Sequence, residues 1–273
     1  NLTDIVGHSH YDLLPNHRQE WKGLHQDCLL GNTHQKDEDY FVDEDGNEQW
    51  LRWEIMPWYL TDNQVGGIIM MSEDITERKK SELSLEHYQQ GLRILAQISA
   101  NHQLSLEQQL MEVLGSINQY FDLPIGVVSR IADNDYIVEY AISNDDEIQI
   151  EVGTAFPIDK TYCSIAFAQN EPVAIQHMAK SEYATHPCYK EFGLESYIGS
   201  PIWVAGKKYG TINFSSPSKR PIPFSKNDID FVQLVARWVG TTMERYANEK
   251  QLIEAREEAS LALRDGKVGV ALA

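Results

Sequence analysis

Cysteine and histidine side chains are the groups in this sequence best suited to chemistry, and the 273 residues include three cysteines and nine histidines. A thiol can act as a nucleophile or hold a prosthetic group, and thiols together with imidazoles can bind zinc. His177, His186 and the cysteines are irregularly spaced, however, and no second ligand pair supports them, so we expect no metal site. An odd number of cysteines without a Cys-x-x-Cys pair also argues against a disulfide framework and predicts a reducing, cytoplasmic location.

The sequence contains the residues of one known catalytic motif at the correct spacing. Ser216 and Lys219 fit Ser-x-x-Lys, a pair that some acyl-transfer enzymes carry on a helix. Pro217 and Pro221 flank this segment closely, and prolines at such density favour a turn. We therefore interpret the segment as a connector, and we expect no catalysis from this part of the protein.

The junction at residues 73–80 is the most informative stretch, because a strand pattern passes there directly into a helix pattern. Residues 64–71 are rich in Gly, Ile and Met and predict a buried strand. Asp74 and Thr76 can both cap the start of the following helix, so we predict that they fix its angle to the sheet and relay a signal. Apolar or small residues then recur at alternating spacings of three and four, which predicts a coiled-coil stripe of Leu85, Tyr88, Leu92, Leu95 and Ser99.

Bulk composition restricts the partners of the chain. The length suits about two domains, and 42% of the residues are hydrophobic, as in globular proteins. A formal net charge of −18 repels phosphates and anionic lipids, so we expect neither nucleic acid nor direct membrane contact. No apolar run approaches the roughly 20 residues that a membrane helix requires. Because the chain starts at Asn1 and carries no signal-peptide pattern, we expect it to be a piece of a longer protein.

The first 76 residues predict a helix that ends near Gly31 and carries Trp21, Leu24, Cys28 and Leu29 on one face. Strands are predicted at 36–42 and 48–59, joined by a turn at Gly46, and a third strand follows. In the second strand Leu51, Trp53 and Ile55 share one face, as in a half-buried strand. This part resembles the C-terminal part of a PAS domain. The resemblance is carried by Asp45-Gly46, Trp50-Leu51-Arg52-Trp53, Pro57-Trp58, Gly66-Gly67 and Asp74-Ile75-Thr76-Glu77-Arg78-Lys79. It implies an antiparallel sheet, with a cofactor pocket that is incomplete in this segment.

A second unit begins near residue 101 with a helix to Pro124, followed by strands, a short helix at 161–169, a strand at 172–175 and a loop at 179–193. A hairpin of 197–204 and 209–215 and a long helix complete it. Residues 101–247 resemble a GAF domain through Thr161-Tyr162-Cys163-Ser164, Glu171-Pro172-Val173-Ala174-Ile175, Tyr197-Ile198-Gly199-Ser200-Pro201-Ile202, Tyr209-Gly210-Thr211-Ile212-Asn213-Phe214-Ser215-Ser216 and Pro223-Phe224-Ser225. Together the two resemblances imply an α+β protein of two PAS/GAF-like domains. Each is an antiparallel sheet covered by helices, and long signalling helices join and follow them.

The GAF resemblance implies space for a small molecule between the sheet and residues 156–175. We therefore predict that Tyr162, Cys163, Ser164 and Asn213 line a ligand pocket, and the alternative is a filled core without ligand. Some GAF photoreceptors attach a bilin to a cysteine that is usually followed by His. Cys188 is followed by Tyr189, which argues against bilin attachment.

Other GAF domains bind cyclic nucleotides with a pattern that includes Phe-x-x-x-Asp-Glu. Phe224 and Asp228 match it, but Ile229 replaces the acid. We therefore interpret Phe224 as an apolar anchor, and Ser225 and Asp228 as the start of a helix. Cyclic nucleotide binding is not expected.

The last helix changes character beyond Ala247. Its apolar seam narrows to Leu252, Ala255, Ala259 and Ala262, which suits close pairing with an identical helix. We predict a homodimer, with a lone solvated helix as the alternative. The sequence thus predicts part of a PAS domain at 1–76, a connecting helix at 77–100, a GAF domain at 101–247, an exit helix at 248–263 and the start of an output domain at 264–273.

The final residues bear on that output domain. Leu261, Ala262, Asp265 and Gly269 resemble the opening of a diguanylate cyclase (GGDEF) domain, although residues 267–268 and 272–273 depart from it. Residues 254–259 also resemble the helix that leads into a histidine kinase phosphoacceptor domain. Neither catalytic centre lies in the sequence. We predict a sensory region of a bacterial signalling protein, most consistent with a diguanylate cyclase; the alternatives are a histidine kinase sensor, a ligand-free dimerisation scaffold and a bilin photoreceptor.

Overall fold

A computed structural model describes residues 6–9, 11, 19–42, 46–101, 103–145 and 148–264. The chain divides into two compact units, Asn1–Leu83 and Ser84–Ala273. Each unit contains one sheet, and all strand pairs in both sheets are antiparallel. The α+β fold class predicted from the sequence is confirmed. No helix among the described residues is both long and apolar enough to cross a membrane.

The first unit is a three-stranded sheet with one helix on its face. Helix α1 spans Gln19–Leu29, and strands β1 (His34–Val42), β2 (Glu48–Tyr59) and β3 (Val65–Asp74) lie in the order β1-β2-β3. The core between helix and sheet consists of Trp21, Cys28, Trp53 and Ile55. Strand alternation puts Trp53 and Ile55 on the face that α1 covers, as the sequence predicts.

Two expectations for this unit were wrong. Strand β3 is not buried: Ile68 and Met70 pack toward the core, whereas Ile69 and Met71 are 46% and 52% exposed on the opposite face. Successive side chains of a strand point to opposite faces, so an apolar run is buried throughout only where both faces are covered. Leu29, expected on the buried face of α1, is also exposed.

The second unit has a six-stranded sheet between two sets of helices. Helix α2 (Thr76–Ala100) begins in the first unit and continues into the second. The remaining elements are α3 (Leu106–Phe121), β4 (Ile125–Ala132), β5 (Asp135–Ser143), β6 (Ala155–Pro157), α4 (Cys163–Gln169), β7 (Val173–Ile175), α5 (Pro187–Phe192), β8 (Ser196–Val204), β9 (Lys207–Ser216) and α6 (Lys226–Arg264), with 3₁₀ turns at Ile158–Lys160 and Met178–Lys180. The strand order is β6-β5-β4-β9-β8-β7.

Local sequence signals account for several boundaries in this unit. Helix α3 starts with a capping box between Ser105 and Gln108, and α6 starts with reciprocal hydrogen bonds between Ser225 and Asp228. The β8–β9 turn contains only Ala205 and Gly206, whose φ angles of 49° and 73° fit the twist of a two-residue hairpin. The sequence predicted a four-residue turn. The loop predicted at 179–193 contains the short helix α5.

Each sheet face has its own hydrophobic core. On one face, α2, α3 and α6 pack against alternate residues of the central strands, among them Val128, Ile212 and Phe214. On the other face, α4, α5 and the connecting segments cover Ile125 and Val127. The two sets of inward positions alternate along β4, which makes that strand apolar on both faces.

The apolar residues of α2 pack differently from the predicted stripe. Leu95 and Ile98 are buried, and Tyr88 packs against the same core. Leu85 is 52% exposed and Leu92 is 37% exposed. One side of α2 therefore packs onto the core of the second unit. The regular three-four spacing did not predict which side this is, because both sides of the helix carry apolar residues.

Candidate functional site

A cavity of about 460 Å³ lies on the sheet face that α4 and α5 cover. Its floor is formed by residues of β4, β5, β8 and β9, and its walls by residues 148–154, the start of α4 and the segment around α5. Ligand pockets of proteins usually have volumes of about 300–1,000 Å³ and mostly apolar walls. The size and the lining of this cavity suit a small molecule.

Three of the four residues predicted to line a pocket do so. Tyr162 and Cys163 reach the cavity from the start of α4, and Asn213 reaches it from β9. Ser164 does not line it. The Ser164 hydroxyl donates instead to the Thr161 carbonyl at 2.7 Å, since the side chains of successive helical residues point in different directions.

The polar groups at the cavity floor bond to one another. Asn213 donates from Nδ2 to the Tyr136 hydroxyl at 3.1 Å, and the Tyr197 hydroxyl donates to Cys163 Sγ at 3.5 Å. Burial raises the pKa of Tyr136, Tyr197 and Cys163, because the charged forms would lose their solvation. The floor is therefore uncharged at neutral pH.

Sequence reasoning missed Tyr136 and Tyr197, the tyrosines of this floor. Both are almost fully buried and line the cavity. Along β5 and β8, residues that face the cavity alternate with residues that face the core on the other side of the sheet. This alternation was the signal in the sequence that could have identified the two tyrosines. It could not be used before the covered faces of the sheet were known.

Cys188, interpreted as a loop thiol, in fact lies in α5 and lines the cavity. Burial raises the pKa of this thiol to about 12. The thiolate is the reactive form of a thiol, so the raised pKa predicts low nucleophilic reactivity of Cys188 in the folded protein.

His186 caps α5. Its Nδ1 accepts the backbone N–H of Cys188 at 3.2 Å, and the ring therefore carries its proton on Nε2, which lies 3.4 Å from Ser164 Oγ. In this tautomer the imidazole donates to Ser164 and cannot remove its proton. The arrangement is a helix cap and not a nucleophile with its base.

The cap makes stability depend on the protonation of His186. Burial lowers the pKa of His186, opposed by the carboxylate of Asp159, so the folded state favours the neutral ring. The His186 cap makes its full contribution to the free energy of unfolding above about pH 6.5, the usual pKa of histidine. This contribution is lost as the pH falls below that value. We expect His186→Asn, which keeps a capping acceptor, to lose less stability than the native protein between pH 7.5 and pH 5.5. Urea unfolding at both pH values measures this, and identical losses would refute it.

The junction of β3 and α2 is held by a compact set of hydrogen bonds. Asp74 Oδ1 accepts the backbone N–H of Thr76 at 2.9 Å, so Asp74 caps the helix start as predicted. The Thr76 side chain does not cap. Its hydroxyl accepts the backbone N–H of Trp50 in β2 at 2.9 Å, and the backbone N–H of Ile75 donates to the Trp50 carbonyl at 2.9 Å. These bonds attach the first turn of α2 to the middle strand of the sheet.

Asp74→Ala tests whether this junction relays a signal. Hydrogen bonding with the Thr76 side chain and backbone N–H lowers the pKa of Asp74, so the cap is ionised at neutral pH. We expect the variant to be less stable than the native protein, because a helix cap is lost, and the intact protein to lose its signal-dependent change in output. Normal regulation in the variant would mean that the junction is structural only. Thr76→Ser, which keeps the hydroxyl, is the matched control.

The remaining candidate sites have structural explanations. Asp228 caps α6 through Ser225 and does not line the cavity. His177 lies 3.7 Å from the carboxylate of Glu195. In the described part of the chain, no group of three or more His, Cys, Asp or Glu side chains could hold a metal ion.

Comparison with known protein families agrees with this geometry. The sequence pattern of the GAF domain family matches residues 105–243, just over half of the chain. The chain belongs to the GAF domain family. A PAS fold pattern matches residues 1–80. The GAF and PAS domains together indicate a sensory or regulatory region.

Solved GAF domains share the fold of the second unit. The phycocyanobilin-bound GAF domain of a cyanobacterial phytochrome is 13% identical, with a TM-score of 0.50, over 58% of this chain and 96% of its own. The phycoerythrobilin-bound GAF domain of a cyanobacterial phytochrome is 12% identical, with a TM-score of 0.50, over 59% of this chain and 97% of its own. At these identities the likeness concerns the fold alone. No curated protein matches the chain.

Proposed function

We propose that this chain is the sensory region of a bacterial signalling protein, in which a small molecule bound in the GAF cavity regulates an output domain through α2 and α6. The cavity of about 460 Å³ is the observation that carries the proposal. An interior this large lowers stability when empty, because the atoms around it lack packing partners. A cavity of this kind is well suited to a ligand that supplies those contacts.

Close contacts between α2 and α6 support the relay. Within the second unit, Ser84 of α2 and Asn227 of α6 are joined by a hydrogen bond of 3.0 Å. Farther along, the Phe231 ring packs so closely on Gly91 that a Cβ atom at Gly91 would lie 2.6 Å from the ring. Close packing of this type favours discrete arrangements of two helices over gradual sliding. A shift of α2 would therefore be transmitted to α6.

Exposed apolar side chains on both helices support a homodimer. Leu85 and Leu92 are seven residues apart on α2, and Leu252, in the predicted seam of α6, is 54% exposed. Every described side chain from Ala247 to Leu261 is exposed. An identical helix that pairs with this seam would bury it, and charged residues would remain outside.

The proposed output domain is a diguanylate cyclase that makes cyclic di-GMP. The support is the sequence resemblance at Leu261, Ala262, Asp265 and Gly269. Residues 265–273 lie outside the part of the chain that the structure describes. We propose the same domain order that the sequence predicts: part of a PAS domain, a connecting helix, a GAF domain and an exit helix that leads to the output domain. Conversion of GTP to cyclic di-GMP by the full-length protein would support this output, and autophosphorylation by ATP would replace it with a histidine kinase.

A ligand screen by thermal shift tests the sensory role. A specific ligand at 100 times its dissociation constant should add about 2.7 kcal/mol of stability. Val127 lies on the cavity floor, so Val127→Phe should place a ring inside the cavity, obstruct the ligand and remove that gain. Val42→Phe makes the same change at a position that is 52% exposed in the first unit, and it should keep the gain. A screen in which no compound stabilises the native protein would favour a dimerisation scaffold.

A bilin photoreceptor is the second candidate, because Cys188 lines the cavity. Protein produced together with a bilin would then show visible absorbance and a covalent adduct on Cys188. The raised pKa of Cys188 and the Tyr189 that follows it argue against this outcome.

A further inference from the structure

The described lining of the cavity contains no Lys, Arg or His, and its acidic side chain is that of Glu151, which is exposed. A phosphate or carboxylate that entered the cavity would leave water without gaining a cation. Glu151 and the net charge of −18 would add repulsion at the entrance. The lining therefore selects against anions.

Two pairs of aromatic rings form part of the lining. Tyr162 and Tyr197 meet edge to face, with ring centroids 5.5 Å apart and planes at 70°. Phe156 and Phe192 form a second such pair at 5.5 Å and 88°. Rings in this arrangement present both faces and edges to a third ring, which is the geometry that aromatic groups prefer.

Two buried polar side chains of β9 complete the lining. The amide nitrogen of Asn213 is used by Tyr136, but its Oδ1 has no hydrogen-bond partner among the described residues. Ser215 is 2% exposed and lines the cavity as well. Because both side chains line the cavity, Asn213 Oδ1 and Ser215 Oγ can accept a hydrogen bond from a molecule inside it.

We propose that the ligand of this cavity is a small, uncharged aromatic molecule that carries a hydrogen-bond donor, and that anionic ligands such as cyclic nucleotides are excluded. This inference rests on the proposed sensory function, because it names the class of ligand for the same cavity. The described lining has no cation that would pair with an anion, the tyrosine and phenylalanine rings favour an aromatic body, and the Oδ1 acceptor of Asn213 favours a donor.

Three related probes test the three parts of this statement. Indole is uncharged and carries an N–H donor, 1-methylindole lacks the donor, and indole-3-carboxylate adds a negative charge. We expect calorimetric titration of the whole chain to show binding of indole. We expect 1-methylindole to bind about 5-fold more weakly, which is the usual cost of one hydrogen bond. Indole-3-carboxylate should bind more weakly by a factor on the order of 100, because its charge would be buried unpaired.

Two variants locate the effects. Val127→Phe should remove indole binding, because its ring would protrude from the floor into the space that indole needs. Glu151→Gln should leave the discrimination between indole and indole-3-carboxylate within about threefold, because the exclusion arises inside the cavity and Glu151 is exposed. If Glu151→Gln restores binding of the carboxylate, the exclusion belongs to the entrance and the proposal is wrong on this point.

The outcomes separate this inference from the proposed function. Binding of indole-3-carboxylate or cyclic AMP that equals or exceeds that of indole, and that Val127→Phe removes, overturns the ligand class but leaves a sensory cavity. Equal binding of indole and 1-methylindole overturns the requirement for a donor. If no probe of either charge binds and the broader ligand screen is also flat, the sensory function fails and this inference fails with it.

Discussion

Gly240→Ala is expected to lower the free energy of unfolding by at least about 2 kcal/mol, or to prevent folding altogether. Gly240 lies in α6 where this helix crosses β8, and a Cβ atom there would stand 2.1 Å from the carbonyl oxygen of Trp203. That oxygen belongs to the backbone of a paired strand, so it cannot rotate away as a side chain would. The helix would have to move off the sheet, and the packing of Val239 and Ala236 would be disturbed with it.

Gly115→Ala is the matched control for this prediction. Gly115 is also a helical glycine, but its Cβ would lie 3.4 Å from Ile142 Cδ1, an ordinary contact. Alanine is favoured over glycine inside a helix by about 1 kcal/mol, so Gly115→Ala should leave stability unchanged or raise it. Urea denaturation followed by circular dichroism compares the two variants. Equal stability of Gly240→Ala and Gly115→Ala would show that α6 can shift on β8 at little cost.

The second large effect concerns the thiols. Cys28, Cys163 and Cys188 are all buried and unpaired. Burial raises the pKa of Cys188 to about 12, compared with about 8.5 for a free cysteine, so its thiolate fraction at pH 7.5 falls by a factor on the order of 1,000. We expect Ellman's reagent to modify Cys188 at least about 100-fold more slowly in the native protein than in guanidinium chloride, because limited access adds to the loss of thiolate.

Peptide mapping by mass spectrometry assigns the modified residue without any substitution. The unfolded protein supplies the control, because all three thiols are then accessible. Rapid native labelling at Cys188 alone would mean that the thiol reaches solvent as a thiolate. That result would also remove the main physical argument against covalent attachment of a bilin at this position.

Local signals in the sequence predicted much of the fold. The hairpin of β8 and β9 needed a turn that tolerates positive φ, and Gly206 supplies it at one of the two turn positions. Asp74 caps α2 because a carboxylate placed before a helix accepts a free N–H. These features depend on residues within a few positions of one another, so they are available before the chain is folded.

Predictions that required knowledge of a distant neighbour were less successful. The three-four spacing correctly predicted that α2 is a helix. It did not predict which side is covered: Leu85 and Leu92 are exposed and Ile98 is buried, because α3, α6 and the sheet cover only one side. Ser164 was placed in the pocket with Tyr162 and Cys163 because the three are adjacent in the sequence. The direction of α4 relative to the sheet turns Ser164 away from the cavity.

By itself, the sequence determined the order of most elements, the Asp74 cap of α2 and the resemblance to PAS and GAF domains. Only the tertiary structure decided that the face between the sheet and α4 encloses a cavity and not a filled core. Tyr136 and Asn213, which meet at its floor, are 77 residues apart in the chain. Hydrogen bonds and backbone sterics act over a few residues and can be recognised in the sequence. The free volume of an interior depends on how side chains from several distant segments fit together, so it is defined only once those segments have been brought into contact.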